Sequence, residues 1–278
     1  MKKIKQYGML LLLTVTAISF IGCGSSGGDD PDPPPVGEVY FNNFDQNPTG
    51  TYTVNMLNAD WNNPSWEDGI TEGRVSIVSG GQAYSGNSMR ILYPQGQVGN
   101  VSGALWEMKL NGSYNELFCS YKVKFGENLN FDFSKGGKLP GLGGGTTPTG
   151  GGKPTGYDGW TARIMWREVG ELFQYVYSPV QAGTYGDYIG WGVLATPGVW
   201  HDLKVRIVMN TPNVSDGILE AWFDDFLVLS RSNMMYRKTD SFAIDSFVFN
   251  TFYGGGDSSW APSSDMYIYF DNFEINHQ

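Results

Sequence analysis

Five basic residues of this 278-residue chain fall between positions 135 and 167: Lys135, Lys138, Lys153, Arg163 and Arg167. Only Asp158 opposes them, so the segment carries +4 inside a chain of formal net charge −10. A cationic cleft for an anionic ligand fits that pattern, and the acidic remainder would limit non-specific binding. Two runs show how the residues could converge. Residues 160–167 and 171–178 flank Glu168-Val169-Gly170, a three-residue turn with glycine available for the left-handed position. Centring the turn on Val169 pairs Arg167 with Glu171, Arg163 with Tyr175 and Thr161 with Tyr177. Alternation then sends Trp160, Ala162, Ile164, Trp166, Leu172 and Val176 to the core. Thr161, Arg163, Tyr175 and Tyr177 share the opposite face, with cross-strand partners about 5.5 Å apart at Cβ.

Lysine, arginine and tyrosine without a nearby histidine or acid pair narrow the chemistry. Hydrolysis of a glycosidic bond normally needs two carboxyls flanking it. The Glu-x-Asp-x-x-Glu strand motif of many jelly-roll glucanases is absent, and Glu220, Asp224 and Asp225 do not match it. β-Elimination on a uronic acid polymer asks for what is present. Cations neutralise the carboxylate beside C5 and stabilise the developing enolate, so that the C5 proton becomes removable. A tyrosine can take that proton or return one to the leaving oxygen. Its reference pKa near 10 means that it needs adjacent Lys or Arg to serve as base, which predicts an optimum somewhat above neutral.

The elements that must hold these residues are strands. From residue 38 onward the chain reads as about eleven strand-like runs with almost no helical periodicity, divided by Gly, Asn, Pro and Asp clusters. Forty-one aromatics, 38 glycines and only 17% charged residues suit an all-β fold: a jelly-roll β-sandwich of two antiparallel sheets in a single domain, residues 38–278. Phe41-Asn42-Asn43-Phe44-Asp45 and Phe270-Asp271-Asn272-Phe273-Glu274 resemble each other and are expected to be neighbouring strands that close the domain. Residues 142–156, LGGGTTPTGGGKPTG, read as a mobile loop beside the site. A phosphate-loop reading of Gly152-Lys153 fails, because Pro154 stands where Ser or Thr should follow.

The segment Lys135-Gly136-Gly137-Lys138-Leu139-Pro140-Gly141-Leu142 resembles the lysine motif of polysaccharide lyase family 14 and related glucuronan lyases. The Ser-x-Arg and Tyr-x-Tyr strands that follow it in that family are matched by Thr161-Ala162-Arg163 and Tyr175-Val176-Tyr177, with threonine keeping the hydroxyl. Similar segments continue through residues 249–255 and 267–273. The resemblance implies a lyase that cleaves alginate or glucuronan to unsaturated oligosaccharides and requires no cofactor. It implies catalytic roles for Lys138, Arg163, Tyr175 and Tyr177, and substrate contacts from Lys135, Thr161, Arg167, Asn250 and Tyr253. Two glycines between Lys135 and Lys138 allow a bulge that re-aims either lysine, and Lys138, near the rigid Pro140, is favoured. Lys138 and Arg163 would hold the carboxylate while Tyr175 or Tyr177 moves the proton. The competing readings are a non-catalytic carbohydrate-binding jelly roll and a glycoside hydrolase.

The chain opens with Lys2, Lys3 and Lys5, then the apolar run Met9–Ile21, then Cys23. Residues 1–22 read as a lipoprotein-type signal peptide, Cys23 as the lipidated first residue, and residues 23–37 as a flexible tether. The expected location is therefore outside the cytoplasm, anchored through the N-terminal lipid to the outer membrane or cell surface. Cys119 is left without a disulfide partner and reads as a small buried hydrophobe. Removal of the signal leaves fifteen basic against twenty-eight acidic residues, net −13, which argues against nucleic acid as a partner. With two histidines no His-rich metal site is expected, although strand-end acids such as Asp265 and Asp271 could take a structural calcium. A monomer is expected.

Overall fold

A computed structural model describes residues 37–129, 131 and 135–277. The expected signal peptide, lipidated Cys23 and tether, up to Val36, lie outside the described residues; Gly37 already opens the first strand. In chain order the first elements are β1 (Gly37–Asn42), β2 (Gly50–Thr51), the helix α1 (Val54–Asp60), β3 (Glu67–Asp68), β4 (Val75–Ser79), β5 (Asn87–Tyr93), β6 (Gly103–Tyr114) and β7 (Glu116–Phe125). Then follow β8 (Gly137–Gly145), β9 (Gly159–Trp166), β10 (Glu171–Tyr177), β11 (Asp187–Leu194) and β12 (Trp200–Val208). The last are β13 (Gly217–Phe223), β14 (Phe226–Met234), β15 (Ile244–Tyr253) and β16 (Met266–His277).

Two antiparallel sheets face each other as a jelly roll. One runs β14-β13-β12-β7-β16-β5-β4-β2, with β1 also on β16; the other runs β11-β10-β9-β8-β15-β6-β3. The period-two pattern explains the first sheet. In β12, His201, Leu203, Val205 and Ile207 point inward while Trp200, Asp202, Lys204 and Arg206 point out. Aromatic rings fill the space between the sheets: Trp106 stacks on Phe249 at 3.7 Å, and Trp61 stacks on Phe247 at 5.8 Å. The expected closure holds, because β1 pairs with β16 from Gly37–His277 to Asn42–Phe273.

The structure departs from the sequence reading in three places. The helix α1 was not anticipated. It is a single short segment capped by Thr53, whose hydroxyl accepts from Met56 N at 3.3 Å, and it buries only Leu57, too little for a helical period to show. Residues 217–229, one continuous strand-like run in the sequence, are two strands, turned at Asp224 (φ 50°) and Asp225 (φ 68°), residue types that tolerate the left-handed region. Third, Leu142–Gly145 belong not to a mobile loop but to a buried central strand, β8. Its glycines are there because the backbones crowd. A Cβ on Gly144 would stand 1.8 Å from Ala243 O, and one on Gly141 2.3 Å from Ala162 O.

Candidate active site

β8 carries Pro140 in mid-sheet, where a residue without an N–H is tolerated only at a bulge. The β8–β9 pairing slips there: Leu139 faces Ile164, and Gly141 faces Arg163. Without the extra residue Lys138 would oppose Trp166 and point into the core. With it, Lys138 opposes Met165 and emerges on the Arg163 face. The bulge thus lies at Pro140 and not at the glycines between Lys135 and Lys138. Tyr121 of the other sheet donates its hydroxyl to Pro140 O at 3.1 Å, satisfying the displaced carbonyl from across the core.

β9 and β10 pair in the expected register, Arg163 with Tyr175 and Thr161 with Tyr177, around a turn with Val169 at φ 57° and Gly170 at φ 82°. The anticipated inward residues all join the core. The outward ones are not exposed, however: Thr161, Arg163, Tyr175 and Tyr177 are each at most 3% accessible. Arg163, Tyr175 and Tyr177 form the floor of a cleft of about 480 Å³, lined also by Lys138, Asn250, Phe252, Tyr185, Tyr188, Thr149 and Trp260.

Two cations lie on that floor with no carboxylate ion-paired to them among the described residues. Arg163 is almost fully buried and its Nε has no hydrogen-bond partner. With the Asn250 amide oriented to satisfy both its ends, its oxygen accepts from Arg163 Nη1 at 2.9 Å and its nitrogen donates to Phe249 O at 2.8 Å. Lys138 places Nζ 4.5 Å from the centre of the Tyr175 ring and 3.8 Å from Met165 Sδ. Desolvation, helped by the charges of Arg163 and Arg167, lowers its pKa to about 7. The Tyr175 and Tyr177 hydroxyls are 3.2 Å apart, and Tyr177 accepts the Gly151 N–H at 3.1 Å. Burial and the neighbouring Tyr177 push the Tyr175 phenol well above its ordinary value, so it stays protonated at neutral pH.

The other predicted contacts are dispersed. Thr161 does not line the cleft: its hydroxyl donates to Pro148 O at 2.9 Å and ties the loop after β8 to the sheet. Tyr253 turns into the core, its ring edge-on to Tyr93 and Trp166 and its hydroxyl toward Met266 Sδ at 3.0 Å. Arg167 sits over the Tyr188 ring in an adjoining hollow, and Lys135 sits at the rim, bonded to Ser259 and over Trp260. Tyr185, Tyr188 and Trp260 were missed. β11 is an edge strand whose alternation is broken by Gly190 and Gly192, and Trp260 reaches the cleft only by lying across Gly255, where a Cβ would stand 2.0 Å from its ring.

The sequence matches the family model of Polysaccharide lyase 14 over residues 81–273. The chain belongs to polysaccharide lyase family 14. No curated protein sequence matches it. Among solved structures this lyase is similar to alginate lyase Aly36B, with 26% identity over 87% of this chain and 97% of the other, at TM-score 0.72. Its fold is also that of the marine alginate lyase from Aplysia kurodai (24% identity, TM-score 0.73, covering 86% and 98%). An endo-β-1,4-glucuronan lyase from the fungus Trichoderma reesei shares the fold more distantly (15%, TM-score 0.55, covering 87% and 96%). The protein is thus a polysaccharide lyase. Among the described residues no group of three or more His, Cys, Asp or Glu side chains is assembled to hold a metal ion. The suggested calcium sites are engaged otherwise: Asp265 accepts Gln95 N at 2.8 Å, and Asp271, fully buried, accepts the Ser88 hydroxyl at 2.6 Å and Asn272 N at 2.7 Å.

Proposed function

We propose that this lyase cleaves a uronic acid polymer of the alginate or glucuronan type by β-elimination. The observation that carries the reading is the pair of buried cations, Arg163 and Lys138, in one aromatic cleft with no carboxylate ion-paired to either among the described residues. A buried guanidinium left unpaired is costly, and a substrate carboxylate supplies the missing partner. Arg163, steadied by Asn250, binds the carboxylate and stabilises the enolate that forms beside it. Lys138, neutral in a useful fraction at pH 7, takes the C5 proton. The electron pair forms the C4–C5 double bond as the C4–O bond breaks, and the protonated Tyr175, bonded to Tyr177, gives its proton to the leaving oxygen. In this assignment the lysine is the base and the tyrosine the acid. A raised phenol pKa disfavours the tyrosine base that the sequence suggested.

The test is the ultraviolet absorbance of the conjugated product from polymannuronate, polyguluronate and glucuronan, with wild type, Lys138→Arg and Lys138→Ala. Wild type raises the absorbance on at least one polymer, and both variants lose about 10²–10⁴ in rate. A Lys138→Arg variant that keeps near wild-type turnover would return lysine to a purely charge-neutralising role.

We also propose, from the sequence alone, an N-terminal lipid anchor. Cys23 is lipidated and anchors the exported lyase to the outer membrane or cell surface. No helix among the described residues is long and apolar enough to cross a membrane. Cys23→Ala should release the lyase from the membrane fraction and abolish incorporation of labelled fatty acid.

A further inference from the structure

The solvent face of the nine-stranded sheet lies on the opposite side of the sandwich from the cleft. Register places four residues in one lateral row across it: Arg90 of β5 opposite Tyr269 of β16, Tyr269 opposite Lys124 of β7, and Lys124 opposite Trp200 of β12. The row alternates cation, aromatic, cation, aromatic, and at about 4.8 Å per strand it spans roughly 14 Å. Lys124 Nζ lies 4.6 Å from the Tyr269 ring and 4.9 Å from the Trp200 ring, and Arg90 lies 4.8 Å above Tyr267. Tyr84 continues the row, edge-on to Trp200 at 5.6 Å. Beside the row is a hollow of about 420 Å³ lined by Arg90, Lys124, Gln82, Glu127, Tyr267 and Tyr269.

Charge separates this row from ordinary surface pairing. On the same face Lys122 is neutralised by Asp202 and Arg206 by Glu116 and Glu220, whereas Lys204 lies over the Phe118 and Trp222 rings without an ion pair among the described residues. Lys124 and Arg90 make no ion pair among the described residues. Lys124 donates to Gln82 O at 3.0 Å and Arg90 to Ser76 Oγ at 3.1 Å, which leaves each with unused donors. Two cations without an ion pair among the described residues, set among flat rings with Glu127 as a nearby carboxylate, match a ligand that is both anionic and ring-shaped.

We propose that Arg90, Tyr269, Lys124 and Trp200, with Tyr267 and Tyr84, form a second, non-catalytic binding site for the uronate polymer. Pyranose rings lie against Trp200 and the exposed Tyr84 while their carboxylates meet Lys124 and Arg90, with Tyr269 held between these two cations. The inference rests on the uronate reading of the cleft. Being on the far sheet, the site cannot extend the catalytic subsites. It holds the lyase on a chain or gel while the cleft works on another segment, raising the effective concentration of substrate.

The test is retardation in native gels containing polymannuronate or glucuronan, with Arg163→Ala weakening the cleft. That protein should still be retarded. Adding Lys124→Ala and Trp200→Ala should weaken retardation at least about five-fold, since each cation–ring element contributes near 1 kcal/mol. Lys124→Gln serves if the larger change prevents folding, as read by circular dichroism. In the otherwise wild-type enzyme, Lys124→Ala/Trp200→Ala should leave turnover of a short soluble oligomer unchanged while slowing solubilisation of a polymer gel. If Arg163→Ala alone abolishes retardation, or the surface changes leave it intact, the second site is overturned. Should wild type then still form unsaturated product, the uronate reading stands without it. No product and no retardation with any uronate polymer would remove both.

Discussion

Lys138 reaches the cleft because Pro140 forces one extra residue into β8, and the two residues therefore act as a unit. Its lowered pKa gives the proposal a measurable sign. The reactive form is the neutral amine, so kcat/KM should rise with pH through about 7 and level above it, as an ascending limb fitted to rates between pH 5.5 and 9 would show. Rates that fall steadily over that range would contradict a lysine base. Tyr175→Phe should cost about 10²–10³ in kcat and still bind substrate, because the ring that Lys138 overlies is kept. Asn250→Asp tests the other cation. A carboxylate 2.9 Å from Arg163 would occupy the guanidinium, so KM should rise far more than kcat falls. At this scale the hairpin spacing singled out Arg163, Tyr175 and Tyr177, while Lys138 came from the resemblance to the family's lysine motif. Thr161 and Tyr253 went elsewhere, because a hydroxyl or ring in a motif does not reveal which neighbour is nearer: Pro148 O for one, the Tyr93–Trp166 cluster for the other.

The elements show the same division. The β9–β10 register was legible because a three-residue turn and a strict apolar alternation leave one pairing that buries Trp160, Ile164, Leu172 and Val176 together. β8 was not legible, since glycine in a strand looks like glycine in a loop until the neighbouring backbones are known. Gly144→Ala should therefore destabilise by about 1–3 kcal/mol or more, lowering the melting temperature by about 2–4 °C for each kcal/mol. On β16, burial raises the Asp271 pKa to about 6 from 3.8. Between these values the unfolded chain is ionised while the folded one keeps its proton, so this group's contribution falls as pH rises from about 4 to 6. Asp271→Asn should flatten the melting temperature across that interval.

For the whole molecule, the useful fact is that positive charge is concentrated in a protein of net −10. The long-range part of substrate attraction is screened over about 10 Å at 0.1 M salt, whereas contacts to the buried groups of the cleft are screened much less. Raising sodium chloride from about 0.05 to 0.5 M should thus raise KM several-fold and leave kcat nearly constant. The sequence by itself determined the all-β class, the closing pair of strands, the β9–β10 hairpin and the family, because each rests on local alternation or on a contiguous motif. Only the tertiary structure decided that Lys138 points into the cleft, that Arg163 is buried without a counter-ion among the described residues, and that Tyr185, Tyr188 and Trp260 wall the site. It alone aligned Arg90, Tyr269, Lys124 and Trp200 across four strands. Those outcomes depend on which distant strands become neighbours and in what register, and the energy that sets it belongs to the packed sandwich as a whole.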